Sequence, residues 1–128
     1  MAAQILIVDS DPSAAEDLRS MLDEDKCEIS HVLTGPDAEQ IARENPPDAM
    51  ILCVDVPNGF SHSRHFKKDE SLASVPLILT SSRVASETFR KHSKLPTAAD
   101  GYILKPFSAE EMLLALAEVV SPSVSESR

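Results

Sequence analysis

Aromatic residues are scarce in this chain: Phe, Tyr and Trp make up 4% of it, with no Trp and one Tyr. A core built without them must rely on aliphatic and alanine packing. No apolar stretch approaches the length of about 18 residues that a helix needs to cross a membrane, so no membrane span is expected. The first residues, Met1 to Gln4, lack a basic stretch and run directly into a strand-like segment, which does not fit a signal peptide. Cysteine is limited to Cys27 and Cys53, both inside apolar strand-like runs. A disulfide framework is therefore not expected, and a reducing cytoplasm fits better. Basic residues are outnumbered, 12 Lys and Arg against 21 Asp and Glu, for a net charge of −9. That argues against nucleic-acid binding by this domain alone, since a phosphate backbone needs a basic footprint. It suits solubility first and a protein partner second. What is present, 128 residues with 42% hydrophobic and 26% charged side chains, is one ordinary domain able to bury a core without disulfides or metal.

Short apolar runs alternate with amphipathic stretches five times. Ile5 to Val8 is aliphatic throughout and ends at Asp9, as a parallel strand buried on both faces would. Asp11 and Pro12 supply a cap and a first-turn proline, and Ala15, Leu18, Met21 and Leu22 follow at helical spacing. Cys27 to Leu33 alternates as an edge strand does; Thr34, Gly35 and Pro36 turn the chain into a short helix marked by Ala38, Ile41 and Ala42, which Pro46 and Pro47 end. Met50 to Val54 is the most apolar run and predicts a central strand, with a loop at Pro57, Asn58 and Gly59. Ser61 to Glu70 predicts a third helix around Phe66, with Lys67 and Lys68 exposed on it. Val75 to Leu79 predicts a fourth strand, Ala85 to His92 a helix around Phe89, and Gly101 to Leu104 a fifth strand. Ser108 to Glu111 is a capping box opening a last helix with Met112, Leu113, Leu116, Val119 and Val120. Five such units imply an α/β fold, a doubly wound five-stranded parallel sheet with helices on both faces. Residues 1–120 form the domain, and the Ser-rich stretch 121–128 reads as a tail or the start of a linker to a further region.

In a doubly wound sheet, sites form at the carboxyl ends of the strands. The polar residues there are Asp9, Ser10 and Asp11; Cys53 and Asp55; Thr80, Ser81 and Ser82; and Lys105. Clustered acids, a hydroxyl and a lysine are the groups that hold a divalent cation and a phosphoryl group. Four strings now carry a resemblance: ILIVDSD (Ile5 to Asp11), PDAMILCVDVP (Pro47 to Pro57), VPLILTSS (Val75 to Ser82) and DGYILKPF (Asp100 to Phe107). In order and spacing they resemble the signature regions of response-regulator receiver domains of the CheY-like family, over about residues 4–120. The resemblance implies the strand order 2-1-3-4-5 of the CheY and flavodoxin-like fold.

Carried over position by position, the resemblance is uneven. Asp9 matches the first of the family's two acidic residues after strand one, but Ser10 stands at the second, where a metal-binding carboxylate is usual. Ser81 matches the hydroxyl position, Tyr102 the aromatic switch, Lys105 the lysine, and Pro106 a proline usually preceded by a cis peptide bond. The phosphoacceptor lies five residues after a Pro-Asp pair and four before a proline; counting from Asp48 and from Pro57 both give Cys53. A thiol is a soft ligand that cannot replace a carboxylate bridging Mg²⁺ and phosphate. The remnant acidic pocket, Asp9, Ser10 and Asp55, is thus expected to bind no metal, and Asp9 to pair with Lys105.

These departures resemble those of FrzS-like pseudo-receivers of bacterial gliding motility, which lack the acceptor aspartate. The implied function is a non-enzymatic protein-interaction module with no cofactor. Its partner protein would meet the face formed by helix four, strand five and helix five, about Val84 to Val120, and weak homodimerisation through that face is left open. The alternative is a phosphorylatable receiver that accepts phosphate from a histidine kinase at an atypical site, Asp55. A redox switch at Cys53 is a remote third reading, since a buried strand thiol is the ordinary explanation. His62 and His65 lie three apart on the third helix, where metal binding would need a third ligand and a solvated face is the plainer expectation.

Overall fold

The computed structural model describes residues 3–22 and 27–119. Strands β1 (Ala3–Val8), β2 (Cys27–Val32), β3 (Ala49–Cys53), β4 (Leu77–Ser81) and β5 (Gly101–Leu104) alternate with helices α1 (Ser13–Met21), α2 (Gly35–Glu44), α3 (Gly59–Lys68), α4 (Ser86–His92) and α5 (Ala109–Val119). All strand pairs are parallel, in the order β2-β1-β3-β4-β5. The doubly wound α/β fold and its strand order are as expected. Val120 and the tail 121–128 lie outside the described residues.

Because successive side chains in a strand point to opposite faces, the aliphatic runs split cleanly into two cores. Leu6, Val8, Met50, Leu52, Leu77 and Leu79 pack on one face with Ala38, Ala42, Phe66 and Phe89. Ile5, Ile7, Ile51, Ile78 and Ile103 pack on the other with Leu18, Met112 and Leu116. β3 and β4 are buried along their whole length, whereas β2 alternates between half-buried and exposed positions, as an edge strand does. The sheet thus places the ends of β1 and β3 at its centre, between the two helical layers.

Several boundaries shift for local reasons. α1 begins at Ser13; the cap position falls on Pro12, which has no side-chain acceptor, and the oxygen comes from Asp11, whose Oδ1 accepts from Ser13 N and Ser13 Oγ. Gly35 and Pro36 belong to the first turn of α2 rather than to a preceding turn, because Thr34 Oγ1 accepts from Asp37 N and caps the helix. α3 also starts early, at Gly59. Asn58 is left-handed (φ 60°), and a Cβ on Gly59 would stand 2.3 Å from the Val54 carbonyl oxygen, so the tight β3–α3 connection requires glycine there. β4 covers Leu77–Ser81 instead of Val75–Leu79, which brings Thr80 and Ser81 into the ladder opposite Ile103 and Leu104. The capping box is present in both directions: Glu111 N donates to Ser108 Oγ, and Ser108 N donates to Glu111 Oε1, each at 3.1 Å.

Two readings of α3 are corrected. Lys67 is not an exposed helix residue: its ammonium donates to Asp100 Oδ2 (2.6 Å) and to the carbonyls of Ala73 and Val75, tying α3 to the segments flanking β4. The solvated face expected for His62 and His65 is corrected for His62 alone, which is half-buried, while the His65 side chain is 52% exposed. His62 lies over Gly35, where a Cβ would stand 2.2 Å from its ring. His65 Nε2 meets Glu39 Oε1 at 2.8 Å, beside Asp69. Arg43 already stands among these groups, paired with both Glu39 and Asp69, so the cluster has its own cation. Hydrogen bonds from Ser71 and then from Arg43 hold the Asp69 carboxyl well below the usual range.

Candidate functional site

The carboxyl ends of β1, β3, β4 and β5 converge on one polar cluster. Asp9, directly after β1, is buried at 4% exposure, while Ser10 and Asp11 are exposed. Both Asp9 oxygens are engaged: Oδ2 accepts from Lys105 Nζ at 2.7 Å, and Oδ1 accepts from Asp11 N at 2.9 Å. Lys105 arrives from the end of β5, immediately before a cis peptide bond to Pro106. Burial alone would lower its pKa, but the hydrogen bond to Asp9 and the nearby Cys53, Asp9 and Asp55 raise it overall. The ammonium therefore stays charged.

Cys53 is the last residue of β3, 3% exposed, and burial pushes its thiol pKa up. A protonated, enclosed thiol is a poor nucleophile, which weighs against a redox role. Asp55 lies two residues on, half-buried, and turns toward the β4 end. Its Oδ1 accepts from Ser81 Oγ at 2.6 Å, and its Oδ2 accepts from Ser82 N (2.9 Å) and Ser82 Oγ (3.0 Å). Burial opposes ionisation of Asp55, yet these hydrogen bonds outweigh it and lower the pKa. Ser81 Oγ in turn accepts from Arg83 N and Val84 N, opening the β4–α4 loop.

These residues do not fit Mg²⁺. That ion wants a near-octahedral set of hard oxygens, and the three positions nearest the β1 and β3 ends offer a fully engaged carboxylate, an exposed hydroxyl and a thiol. Mg²⁺ would have to displace Lys105 from Asp9, and Ser10, the residue beside Asp9, brings no charge to replace the ion pair.

A second polar unit lies on the α4–β5 side. Ala99 N donates to Tyr102 Oη at 2.9 Å, and the same hydroxyl makes a hydrogen bond with His92 Nδ1, 2.7 Å away. His92 Nε2, on the other side of the ring, is buried and has no hydrogen-bond partner among the described residues. Burial, with Arg64 as a smaller contribution, lowers the His92 pKa and keeps the ring neutral. Phe60, Phe89 and Tyr102 pack around the imidazole or against one another at ring-centre distances of 5.1–6.2 Å. Replacing Tyr102 by Phe should cost about 1–2 kcal/mol in urea unfolding, because the half-buried Ala99 N–H and the His92 nitrogen both lose their partner.

Sequence reasoning placed Asp9, Lys105, Cys53, Asp55 and Ser81 at this end of the sheet, and the structure brings them there; Tyr102, matched to the aromatic switch, lies earlier in β5, opposite Leu79. That reasoning missed Ser82 as a ligand of Asp55 and His92 as the partner of Tyr102. The available signal for His92 was its position three residues after Phe89, on the same face of α4.

Residues 5–117 match the response regulator receiver domain family. The chain belongs to that family, the signalling module of two-component signal transduction. It is 30% identical over 121 residues to the protein PilH of Pseudomonas aeruginosa, covering 93% of this chain and 98% of PilH. It is also 27% identical over 112 residues to the DNA-binding regulator RpaA of Synechocystis, but spans only 46% of that protein. The fold superimposes on the chemotaxis response regulator CheY4 of Vibrio cholerae with a TM-score of 0.81 at 22% identity, covering 94% of this chain and 100% of that one. Among the described residues, no helix is long and apolar enough to cross a membrane.

Proposed function

We propose that this receiver works without aspartyl phosphorylation, as a pseudo-receiver that binds a protein partner, of the kind used in bacterial signalling and motility. The observation that carries this reading is the Lys105–Asp9 ion pair beside Cys53: the cation and acid needed for phosphoryl transfer neutralise each other, and the acceptor position holds a buried thiol. Asp55 is a poor substitute acceptor, since attack by either oxygen would break hydrogen bonds to Ser81 or Ser82. The reading makes the domain no enzyme.

The partner face is formed by α4, β5 and α5. A groove of about 760 Å³ runs there, lined by Phe89, Tyr102, Leu104, Pro106 and Leu114, with Arg90 on its α4 side and Glu111 and Glu118 on its α5 side. Leu113 and Leu114 are among the exposed large apolar residues of the domain. An apolar floor with charged rims is the composition of a protein-docking surface. Because the His92–Tyr102–Ala99 unit holds one wall of that groove in a fixed arrangement, the face is presented constitutively, or is shifted by a partner that prefers another arrangement.

The test is incubation with Mg²⁺ and a small phosphodonor, or a beryllofluoride mimic, followed by intact mass and Tyr102 fluorescence. The expected result is no adduct and no fluorescence change. A stable, acid-labile phosphoryl adduct on Asp55 would overturn the proposal in favour of an atypical phosphorylatable receiver.

A further inference from the structure

Charge is distributed unevenly over this acidic chain. Residues 64–95 hold seven of its 12 Lys and Arg but only three of its 21 Asp and Glu. Among the described residues outside that stretch, every such cation is matched: Arg19 by Glu16, Arg43 by Glu39 and Asp69, and Lys105 by Asp9. Within it, Lys67 is matched by Asp100. Arg64, Lys68, Lys91 and Lys94 are exposed and have no carboxylate partner among the described residues.

The fold gathers these four cations. Each helix returns against the direction of the parallel strands, so the last turns of α3 and α4 lie near the amino ends of β4 and β5. Lys67 marks that place, since it reaches the Val75 carbonyl and Asp100 just before the two strands. The Asp9–Lys105 cluster is at the opposite end of the sheet. Phe60 packs against Phe89 and His92 across the α3–α4 seam, and Arg64 is close enough to His92 to depress its pKa. Arg64 and Lys68 are neighbours one turn apart on α3. Leu95, a large apolar side chain left 44% exposed, directly follows Lys94. The helix dipole favours cations at carboxyl ends. That accounts for their position but not for their lack of partners. Arg19 and Arg43 hold the same position in α1 and α2, and both are matched by carboxylates.

We propose that this α3–α4 patch docks a short acidic segment of a partner protein. Its carboxylates lie over Arg64, Lys68, Lys91 and Lys94, and an apolar side chain rests on Leu95. Charge complementarity selects that occupant. A nucleic-acid duplex or a membrane surface is an extended array of negative charge, and it would run beyond the patch onto a chain of net charge −9. A short segment stays within about 10 Å of the four cations, and salt screens the more distant acids. The patch shares no residue with the α4–β5–α5 groove, so the proposal stands or falls separately from the pseudo-receiver reading.

The test uses a peptide of repeated Glu-Glu-Leu as the probe and a Gln-Gln-Leu peptide as the neutral control, followed by amide chemical shifts of the intact chain. The expected result is saturable shifts from the acidic peptide at Arg64, Lys68, Lys91, Lys94 and Leu95, and none from the neutral one. Raising the salt to about 0.5 M should weaken binding several-fold. Lys91→Glu combined with Lys94→Glu should weaken it about tenfold, whereas Lys91→Arg combined with Lys94→Arg should retain it. Both positions are exposed, so the variants keep the fold, which unchanged shifts elsewhere will verify. Shifts centred on the groove, binding insensitive to the two Glu changes, or no saturable shift at the patch would each overturn the proposal. Tighter binding of phosphatidylglycerol vesicles or duplex DNA at these residues would also overturn it. So would shifts there on concentrating the chain alone, which would make a second copy the occupant.

Discussion

Lys105→Met is expected to destabilise the domain by about 3 kcal/mol in urea unfolding at neutral pH, against about 1 kcal/mol for Asp9→Asn. The asymmetry follows from where the two charges sit. Asp9 is almost wholly enclosed, so without Lys105 its carboxylate keeps only the hydrogen bond from Asp11 N. The Lys105 side chain remains 25% exposed, and without Asp9 its flexible stem can carry the ammonium to water. Combining the two changes should cost less than the sum of the singles by about 1–2 kcal/mol, which is the signature of a direct coupling. If Lys105→Met costs less than about 0.5 kcal/mol, the ion pair contributes nothing that solvent does not replace.

The same pair sets an alkaline limit. The Lys105 pKa is raised above its ordinary value of 10.5 in the folded chain. A cationic group shifted upward contributes stability that is fully present below its unfolded pKa and is lost as pH rises through the folded one. Stability of the parent chain should therefore begin to fall above about pH 10.4 in a way that Lys105→Met abolishes. At acid pH Asp55 contributes together with Asp69: both pKa values are lowered, so their contribution is present above about pH 3.9 and lost as pH falls through the folded values.

Much of this was readable before any coordinates, for physical reasons that differ between regions. β1, β3 and β4 are aliphatic runs buried on both faces, and nothing but a central parallel strand suits them, so the sheet and its two cores followed directly. Several strand-end positions were equally plain, because Asp9, Asp55, Thr80 and Lys105 each stand where a run of apolar residues stops, whereas Cys53 lies inside its run and is located by counting from Asp48 and Pro57. What a linear reading could not deliver was side-chain direction. Lys67 looks like any helix-surface lysine, yet Asp100 and two carbonyls lie within its reach. Asp55 looks like a spare acid, and only the β3–β4 register shows that it lies over Ser81 and Ser82. His92 carries no motif, and its pairing with Tyr102 depends on how α4 crosses β5. The early start of α3 was hidden in a close contact between Gly59 and the Val54 backbone.

Restoring the missing chemistry should need more than one change. Cys53→Asp puts a carboxylate at the acceptor position, but inside a nearly closed pocket flanked by Asp9 and Asp55. Burial and like charge would raise the folded pKa of the new group. Its destabilisation then grows as pH climbs above about 4, the unfolded value, reaching on the order of 3 kcal/mol near neutrality. Without an acid at position 10, Mg²⁺ has too few hard ligands to relieve it. Adding Ser10→Asp supplies that ligand, and Asp55→Ala frees the Ser81 hydroxyl for a phosphoryl oxygen. In the triple variant the carboxylate introduced by Cys53→Asp can attack the phosphorus of acetyl phosphate, forming the acyl phosphate while acetate leaves. Lys105 can then turn from Asp9 to the new phosphoryl group. The expected outcome is a Mg²⁺-dependent, acid-labile adduct by intact mass in the triple variant, and none in the parent chain or in Asp55→Ala. Mg²⁺ should also raise the unfolding midpoint of the triple variant, since it binds only the folded site, and leave the parent unchanged. An adduct on Cys53→Asp alone, at a level matching the triple variant, would mean that Ser10 and the Asp55–Ser81 contact are no obstacle and that the thiol is the whole defect.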